Sequence, residues 1–205
     1  MPEENQENEV KFYLDDLWSF ESSLLKKGAA VMHPRVFESN LRFDLPDGEL
    51  TAAHRVLRLR QDDRVRLTYK GPAQPGQPIS IRQEIEIEVS DFDQTQKLLE
   101  SLGYIVSVQY EKWRTTYQLG KVEIDLDELP FGHFCELEGP DAQQIKSVAD
   151  RLNLKWDARV LESYLALFDR VKTTKDLKVK HLTFAEFKNI QLTSQDLGVV
   201  PAFQH

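Results

Sequence analysis

The stretch Glu7-Asn8-Glu9-Val10-Lys11-Phe12 decides how this chain is to be read. In an extended strand, alternate side chains share a face, so Glu7, Glu9 and Lys11 point one way and Val10 and Phe12 the other. The same charged alternation returns in Arg58 and Arg60, in Arg64, Arg66 and Lys70, and in Arg82, Glu84, Glu86 and Glu88. It continues in Lys112 and Arg114, in Glu123, Asp125 and Asp127, and in Glu136 and Glu138. Taken singly, each strand reads as an ordinary amphipathic one with its charges in water. Taken together they read differently. Their apolar faces (Leu57 and Leu59; Val65, Leu67 and Tyr69; Ile81, Ile85 and Ile87; Val122, Ile124 and Leu126) are matched by amphipathic helices able to cover a sheet from outside. The charged faces then line the inside of a barrel.

About eight strands close around a cavity that holds one small ligand. An unpaired buried charge costs several kcal/mol, so a lumen carrying both signs needs a counter-charged occupant. A triphosphate with a divalent metal ion answers that need. Arginine and lysine neutralise phosphate oxygens, while hard carboxylates hold magnesium or manganese.

Composition bounds the compartment and the partners. With 205 residues and 40% hydrophobic content, the chain suits one domain with a tail. A formal net charge of −8 argues against general binding to nucleic acid or to anionic membranes. Cys135 is the only cysteine, and Phe134 beside it favours a buried, inert thiol and a reducing compartment. No run approaches the ~20 apolar residues of a membrane span, so a soluble, cytoplasmic protein is expected.

Along the chain, the first strand should end near Tyr13, and Asp15 or Asp16 should cap a helix stopped by Gly28. Ala30 to Asp44 reads as extended but irregular, broken at Pro34 and closed by Pro46-Asp47-Gly48. Arg55 to Arg60 and Arg64 to Lys70 form a hairpin about Gln61-Asp62-Asp63. After the loop Gly71 to Pro78 comes a strand from Ile79 to Val89, then a helix from Asp91 to Gly103. Three strands follow, Tyr104 to Leu119, Val122 to Leu126 and Phe134 to Glu138. Helices are expected from Pro140-Asp141 to Leu152, from Leu161 to Val171, and from Phe184 to Ile190, with frayed final residues. The domain is placed at 1–171, with 172–205 a partly helical or flexible extension.

In this order the charged blocks resemble those of the CYTH domain of the triphosphate tunnel metalloenzymes, which include class IV adenylate cyclases and thiamine triphosphatases. Glu7-Asn8-Glu9-Val10-Lys11 is similar to the family's E-x-E-x-K signature. Leu57-Arg58-Leu59-Arg60, Leu67-Thr68-Tyr69-Lys70-Gly71-Pro72, Arg82-Gln83-Glu84-Ile85-Glu86, Lys112-Trp113-Arg114, Glu123-Ile124-Asp125 and Phe134-Cys135-Glu136-Leu137-Glu138 follow at similar spacing, with Ser163-Tyr164 as a late pair. The resemblance implies an α+β fold, an eight-stranded antiparallel tunnel with helices packed outside.

It also implies that Glu7, Glu9, Asp125, Glu136 and Glu138 bind Mg2+ or Mn2+, and that Lys11, Arg58, Arg60, Lys70, Arg82, Lys112 and Arg114 hold phosphates. Glu9, Lys11 and Lys70 would then be catalytic. Glu84 and Glu86 stay open between metal binding and pairing with lumen arginines, with pairing favoured, and Arg64 and Arg66 are left outside the site. Near Phe37 to Asp44 the cyclases carry a D-x-Y-F-like segment, where this chain has Phe37-Glu38-Ser39-Asn40-Leu41-Arg42-Phe43-Asp44. The expected activity is therefore metal-dependent hydrolysis of a small triphosphate (inorganic triphosphate, thiamine triphosphate or ATP) by a monomer or homodimer. A class IV cyclase making cyclic AMP and pyrophosphate is the first alternative, and a non-catalytic polyphosphate-binding or nucleotide-binding module the second.

Overall fold

The computed structural model describes residues 6–203. In chain order the elements are β1 (Gln6–Leu14), α1 (Leu17–Lys26), β2 (Ala30–Asp44), α2 (Glu49–Ala52), β3 (Val56–Gln61), β4 (Val65–Lys70), β5 (Ser80–Glu88), α3 (Phe92–Ser101), β6 (Ile105–Leu119), β7 (Val122–Leu129), β8 (Gly132–Glu138), α4 (Ala142–Arg151), β9 (Arg159–Val160), α5 (Tyr164–Thr174) and α6 (Ser194–Leu197). The sheet runs β5-β4-β3-β2-β6-β7-β8-β1, and a further antiparallel pairing of β5 with β1 closes those eight strands into a ring. The expected antiparallel tunnel with helices outside is present. Closure is shared: Gln6 to Glu9 of β1 pair with β5, while Lys11 and Phe12 pair with the short β9, which the sequence reading lacked.

Each helix begins where a side chain takes up orphan backbone N–H groups. Asp16 accepts from the Ser19 N–H at 3.0 Å, Asp91 from Gln94 and Asp141 from Gln144, both at 2.8 Å. α1 ends at Gly28, whose φ of +87° is open to glycine at little cost. α1, α4 and the closing segment cover the outer face of β1, β7 and β8 through Phe12, Phe20, Leu24, Ile124, Leu137 and Ile145. Each such fully buried side chain contributes about 1.5–3 kcal/mol. α3 covers Leu41, Phe43 and Leu59 with Leu99.

Four expectations are corrected. The helix placed at Leu161 to Val171 starts only at Tyr164, where Ser163 accepts from the Ala166 N–H at 3.2 Å, and runs on to Thr174. Phe184 to Ile190 forms turns in place of the expected helix: the Phe184 N–H donates to Glu111, the Phe187 and Ile190 N–H groups donate to the Thr183 and Phe187 carbonyls, and the Glu186 carboxylate accepts from the Lys180 and His181 N–H groups. Ala30 to Asp44 is one long strand, its irregularity confined to register shifts at Val31/His33, His33/Val36 and Arg42/Phe43. The closing segment is not frayed through Phe203, since Leu182, Phe187 and Leu197 pack with Phe134 and Phe168. Phe203 meets Phe20 edge-on with ring centroids 5.1 Å apart. Residues 204–205, on which part of that expectation falls, lie outside the described residues. Among the described residues no helix is long and apolar enough to cross a membrane.

Candidate active site

The inner face of the ring is built by strand parity. β7, β8 and β1 are adjacent, and their unbroken antiparallel registers place Glu9 opposite Glu138, Lys11 opposite Glu136, and Asp125 opposite Glu136. All five expected metal-binding carboxylates thus stand on three neighbouring strands. The expected phosphate-binding side chains come from β1, β3, β4, β5 and β6 and line the same cavity of about 360 Å3. An acidic wall faces a basic one.

Their partners are mutual. Lys11 Nζ lies 2.6 Å from Glu9 and 3.3 Å from Glu136. Arg82 reaches Glu7 at 2.9 Å and Glu9 at 3.1 Å, and Lys70 bonds Glu7 and lies 3.1 Å from Glu84. Arg114 engages Asp125, Asp127 and Glu136 together, and Lys112 Nζ donates to Asp127 at 2.9 Å. Arg60 lies 3.3 Å from Glu38, and Arg58 lies 3.5 Å from Glu86 and 3.9 Å from Glu84. Glu84 and Glu86 therefore pair with lumen cations, as their spacing suggested.

Several lining groups escaped the sequence reading. Arg66 had been left out, yet the β4–β5 register runs without a bulge from Lys70 through Thr68 to Arg66, so all three face inward. Arg66 pairs there with Asp62 and Glu86, while Arg64 is exposed. Asp127 continues the alternation of Glu123 and Asp125, and it is fully buried against Lys112, Arg114 and the Tyr164 hydroxyl, which donates at 2.9 Å. Tyr164 lies under two ammonium groups, Lys11 at 5.7 Å and Lys112 at 5.5 Å from its ring centroid. Glu38 is buried among Arg60, Lys112 and Arg114, and it shares its parity with Asn40 and Arg42 in the unbroken 36–42 register, a signal that the irregular reading around Pro34 passed over.

These surroundings set the ionisation states. Burial opposes the charge on Glu7, but Lys70 and Arg82 outweigh it and hold the carboxyl far below the usual carboxylate range. Glu38 is held low in the same way by Arg60 and Lys112, and Glu136 by Lys11 and Arg114. Asp125 goes the other way. Burial, with repulsion from Asp127 and Glu136, overrides Arg114 and pushes it up to about 7. Glu138, the last residue of β8, lines the cavity and among the described residues forms no salt bridge; desolvation of its carboxyl and then the charges of Glu7, Glu9 and Glu84 push it up to about 8.

Whether the site suits a divalent cation is decided by that donor set. Among the described residues no three His, Cys, Asp or Glu side chains converge as a ready-made cage. Most of the carboxylates are turned toward Lys or Arg instead. The chemistry nevertheless fits: the donors are hard oxygens, and at Asp125 and Glu138 burial and the charges of neighbouring carboxylates outweigh what the nearby cations relieve.

A pH dependence follows. Both raised carboxyls bind a proton more tightly in the folded chain than unfolded, so between about pH 4 and pH 8 the folded state holds more protons and stability falls as pH rises. Glu7, Glu38 and Glu136 act oppositely, and their contribution is lost only at acid pH. The metal-free protein is therefore expected to melt at lower temperature at about pH 9 than at about pH 6, with a smaller drop in Glu138→Gln. Calorimetric scans in chelator check this, and a melting temperature that rises over that interval contradicts it.

The fold and site define a closed antiparallel ring whose lumen carries a basic wall facing an acidic one. The CYTH domain matches residues 5–164, and the chain belongs to that family. It is 29% identical over 186 residues to the adenylate cyclase CyaB of Aeromonas hydrophila, covering 84% of this chain and 94% of that one. To a Methanocaldococcus jannaschii protein named "Putative adenylate cyclase" it is 27% identical over 172 residues, covering 83% and 91%. A Hippeastrum protein whose structure is described as revealing a dominant triphosphatase activity superposes with a TM-score of 0.61 at 20% identity, over 80% of this chain and 95% of that one, and so shares the fold.

Proposed function

We propose that this chain is a divalent-metal-dependent enzyme that holds a triphosphate in the tunnel and hydrolyses its terminal phosphate. The observation that carries the reading is the set of buried (Arg58, Arg60, Lys70 and Lys112) and half-buried (Arg82 and Arg114) cations arrayed along one lumen. Each is paired with a carboxylate in the ligand-free tunnel, so phosphate oxygens take over those partners on binding. The cations hold the chain extended and fix which phosphorus lies beside the acidic wall. Lys11, seated between Glu9 and Glu136, places a charge at the junction of the two walls, and the Tyr164 ring shields it and Lys112 from water. A bound magnesium or manganese ion, held by Glu7, Glu9, Asp125, Glu136 and Glu138, would neutralise phosphate charge and orient the attacking water.

The second reading is a class IV adenylate cyclase, in which the ribose 3′-hydroxyl attacks the α-phosphorus and pyrophosphate leaves. The names of both relatives favour it, as does a second cavity of about 790 Å3 that adjoins the tunnel and has room for an organic group. Purified protein with magnesium or manganese, offered inorganic triphosphate, thiamine triphosphate and ATP, separates the readings by its products. Orthophosphate supports hydrolysis. Cyclic AMP and pyrophosphate from ATP, with inorganic triphosphate untouched, replace it by the cyclase.

The phosphate assignment makes a prediction of its own. Arg58→Gln should weaken triphosphate binding by about 1.5–3 kcal/mol through loss of charge-assisted hydrogen bonds, and diphosphates should bind less well than triphosphates. Titration calorimetry checks both, and equal affinity for ATP, ADP and AMP counts against a tunnel that measures chain length.

A further inference from the structure

Among the described residues, one cation lining the tunnel stands apart from the rest. Lys11, Arg58, Arg60, Arg66, Lys70, Arg82, Lys112 and Arg114 each form a salt bridge with a carboxylate, and Arg42 forms none. Its Nε is shielded from solvent and has no hydrogen-bond partner. On β2 it lies directly opposite Arg58 in the ladder, and the register shift between Arg42 and Phe43 follows immediately. Burial works against its protonated form and the like charges of Arg58 and Arg82 add to it, while Tyr110 and Asp44 offset part of the cost without a salt bridge. Among the described residues the fold thus holds a guanidinium with no salt-bridged carboxylate.

Its position says what kind of group would compensate it. Arg42 lines both the tunnel and the adjoining larger cavity, with Lys11, Arg82 and Val56. That second cavity is bounded by the turn after α2 (His54, Arg55), the loop after β4 (Pro72, Pro75) and the N-terminal turn of α5 (Ser163, Leu165), and so forms a vestibule at one mouth. A group threading from vestibule to tunnel passes Arg42 at the threshold. A guanidinium has a planar fork that matches two oxygens of a phosphate, which a point-charge ammonium does not.

We propose that Arg42 is a substrate-binding residue that grips the phosphate at the vestibule end of the triphosphate chain. It was not among the residues assigned to phosphate from sequence, and the inference rests on the triphosphate reading above. The contact makes affinity depend on an oxyanion at the threshold, in addition to the paired cations deeper in the lumen. Removing the charge should also relieve the ligand-free protein, since among the described residues no carboxylate forms a salt bridge with Arg42 and burial outweighs the favourable charges of Tyr110 and Asp44.

Titration calorimetry of tripolyphosphate with magnesium, on wild type, Arg42→Gln and Arg42→Lys, tests this together with melting curves of the metal-free, ligand-free proteins. The expected result is a loss of about ten-fold or more in affinity for Arg42→Gln, partial recovery in Arg42→Lys, and a ligand-free Arg42→Gln that melts no lower than wild type. Wild-type affinity in Arg42→Gln overturns the role of Arg42 and leaves the tunnel reading standing. A ligand-free Gln variant that melts lower or fails to fold overturns it too, because the protein itself would then be shown to use the charge. No binding of tripolyphosphate by the wild-type chain overturns both.

Discussion

Arg114→Met is expected to destabilise the ligand-free protein by about 3–5 kcal/mol, the range for breaking a buried ion pair from one side. Among the described residues Arg114 is the sole side chain that bridges Asp125, Asp127 and Glu136, and it also lies 3.9 Å from Glu38. Methionine fills similar volume but leaves Asp125 with the Thr116 hydroxyl alone, and Asp127 with Lys112 and Tyr164. Asp125, already pushed up to about 7, would be neutral over a wider range of pH. Since small domains have only about 5–15 kcal/mol of total stability, such a loss is large. Urea unfolding reads it directly, and a midpoint shift below about 1 kcal/mol would mean that water, not Arg114, compensates these acids. Magnesium should recover part of the loss in the variant, because a divalent cation can take the place of the missing charge.

How far the fold was legible depends on where the period of two survived. β1, β3, β7 and β8 alternate cleanly and pair without register shifts, so parity read from Glu9, Arg58, Asp125 or Glu136 carries to every lumen position on those strands. β2 does not. Its shifts at His33, Val36 and Phe43 lie on either side of an unbroken run over 36–42, in which Glu38 and Arg42 share a face; the irregularity read around Pro34 kept that face from being drawn from sequence. Arg66 was missed through caution about a bulge that the β4–β5 ladder lacks. Helix starts were readable where an Asp cap precedes the apolar run, as at Asp16, Asp91 and Asp141, and not at Ser163, whose helix was expected from Leu161. The closing segment was opaque because its burial is tertiary: Leu182, Phe187 and Leu197 have no periodicity of their own and are ordered by Phe134 and Phe168.

The site was legible as a set of charges but not as a set of contacts. Period-2 spacing says that Lys70 and Glu7 face inward; that they bond one another across 63 residues of sequence depends on the β5–β1 closure of the ring. The same closure brings Arg82 between Glu7 and Glu9. Neutral lumen groups carried no sequence signal at all. Thr68 and Thr116 are buried and bonded to Glu86 and Asp125, and Tyr110 lies against Arg58, yet alternation of charge passes over them.

Glu9→Gln is expected to lower metal-dependent turnover of the triphosphate by at least about 10²-fold while leaving the fold intact. Glu9 touches two cations that keep other partners when it is neutralised: Lys11 retains Glu136, and Arg82 retains Glu7. The substitution also removes one of the charges crowding Glu138, which should then titrate closer to an ordinary glutamate. Stability of the metal-free variant is accordingly expected at or slightly above that of wild type, in contrast to Arg114→Met. If Glu9 holds the metal, calorimetry in the presence of phosphate ligand shows weaker magnesium binding in step with the lost turnover. A Glu9→Gln protein that keeps wild-type turnover removes Glu9 from the metal set. One that loses turnover with magnesium affinity unchanged instead assigns its role to setting Lys11 and Arg82 against the phosphates.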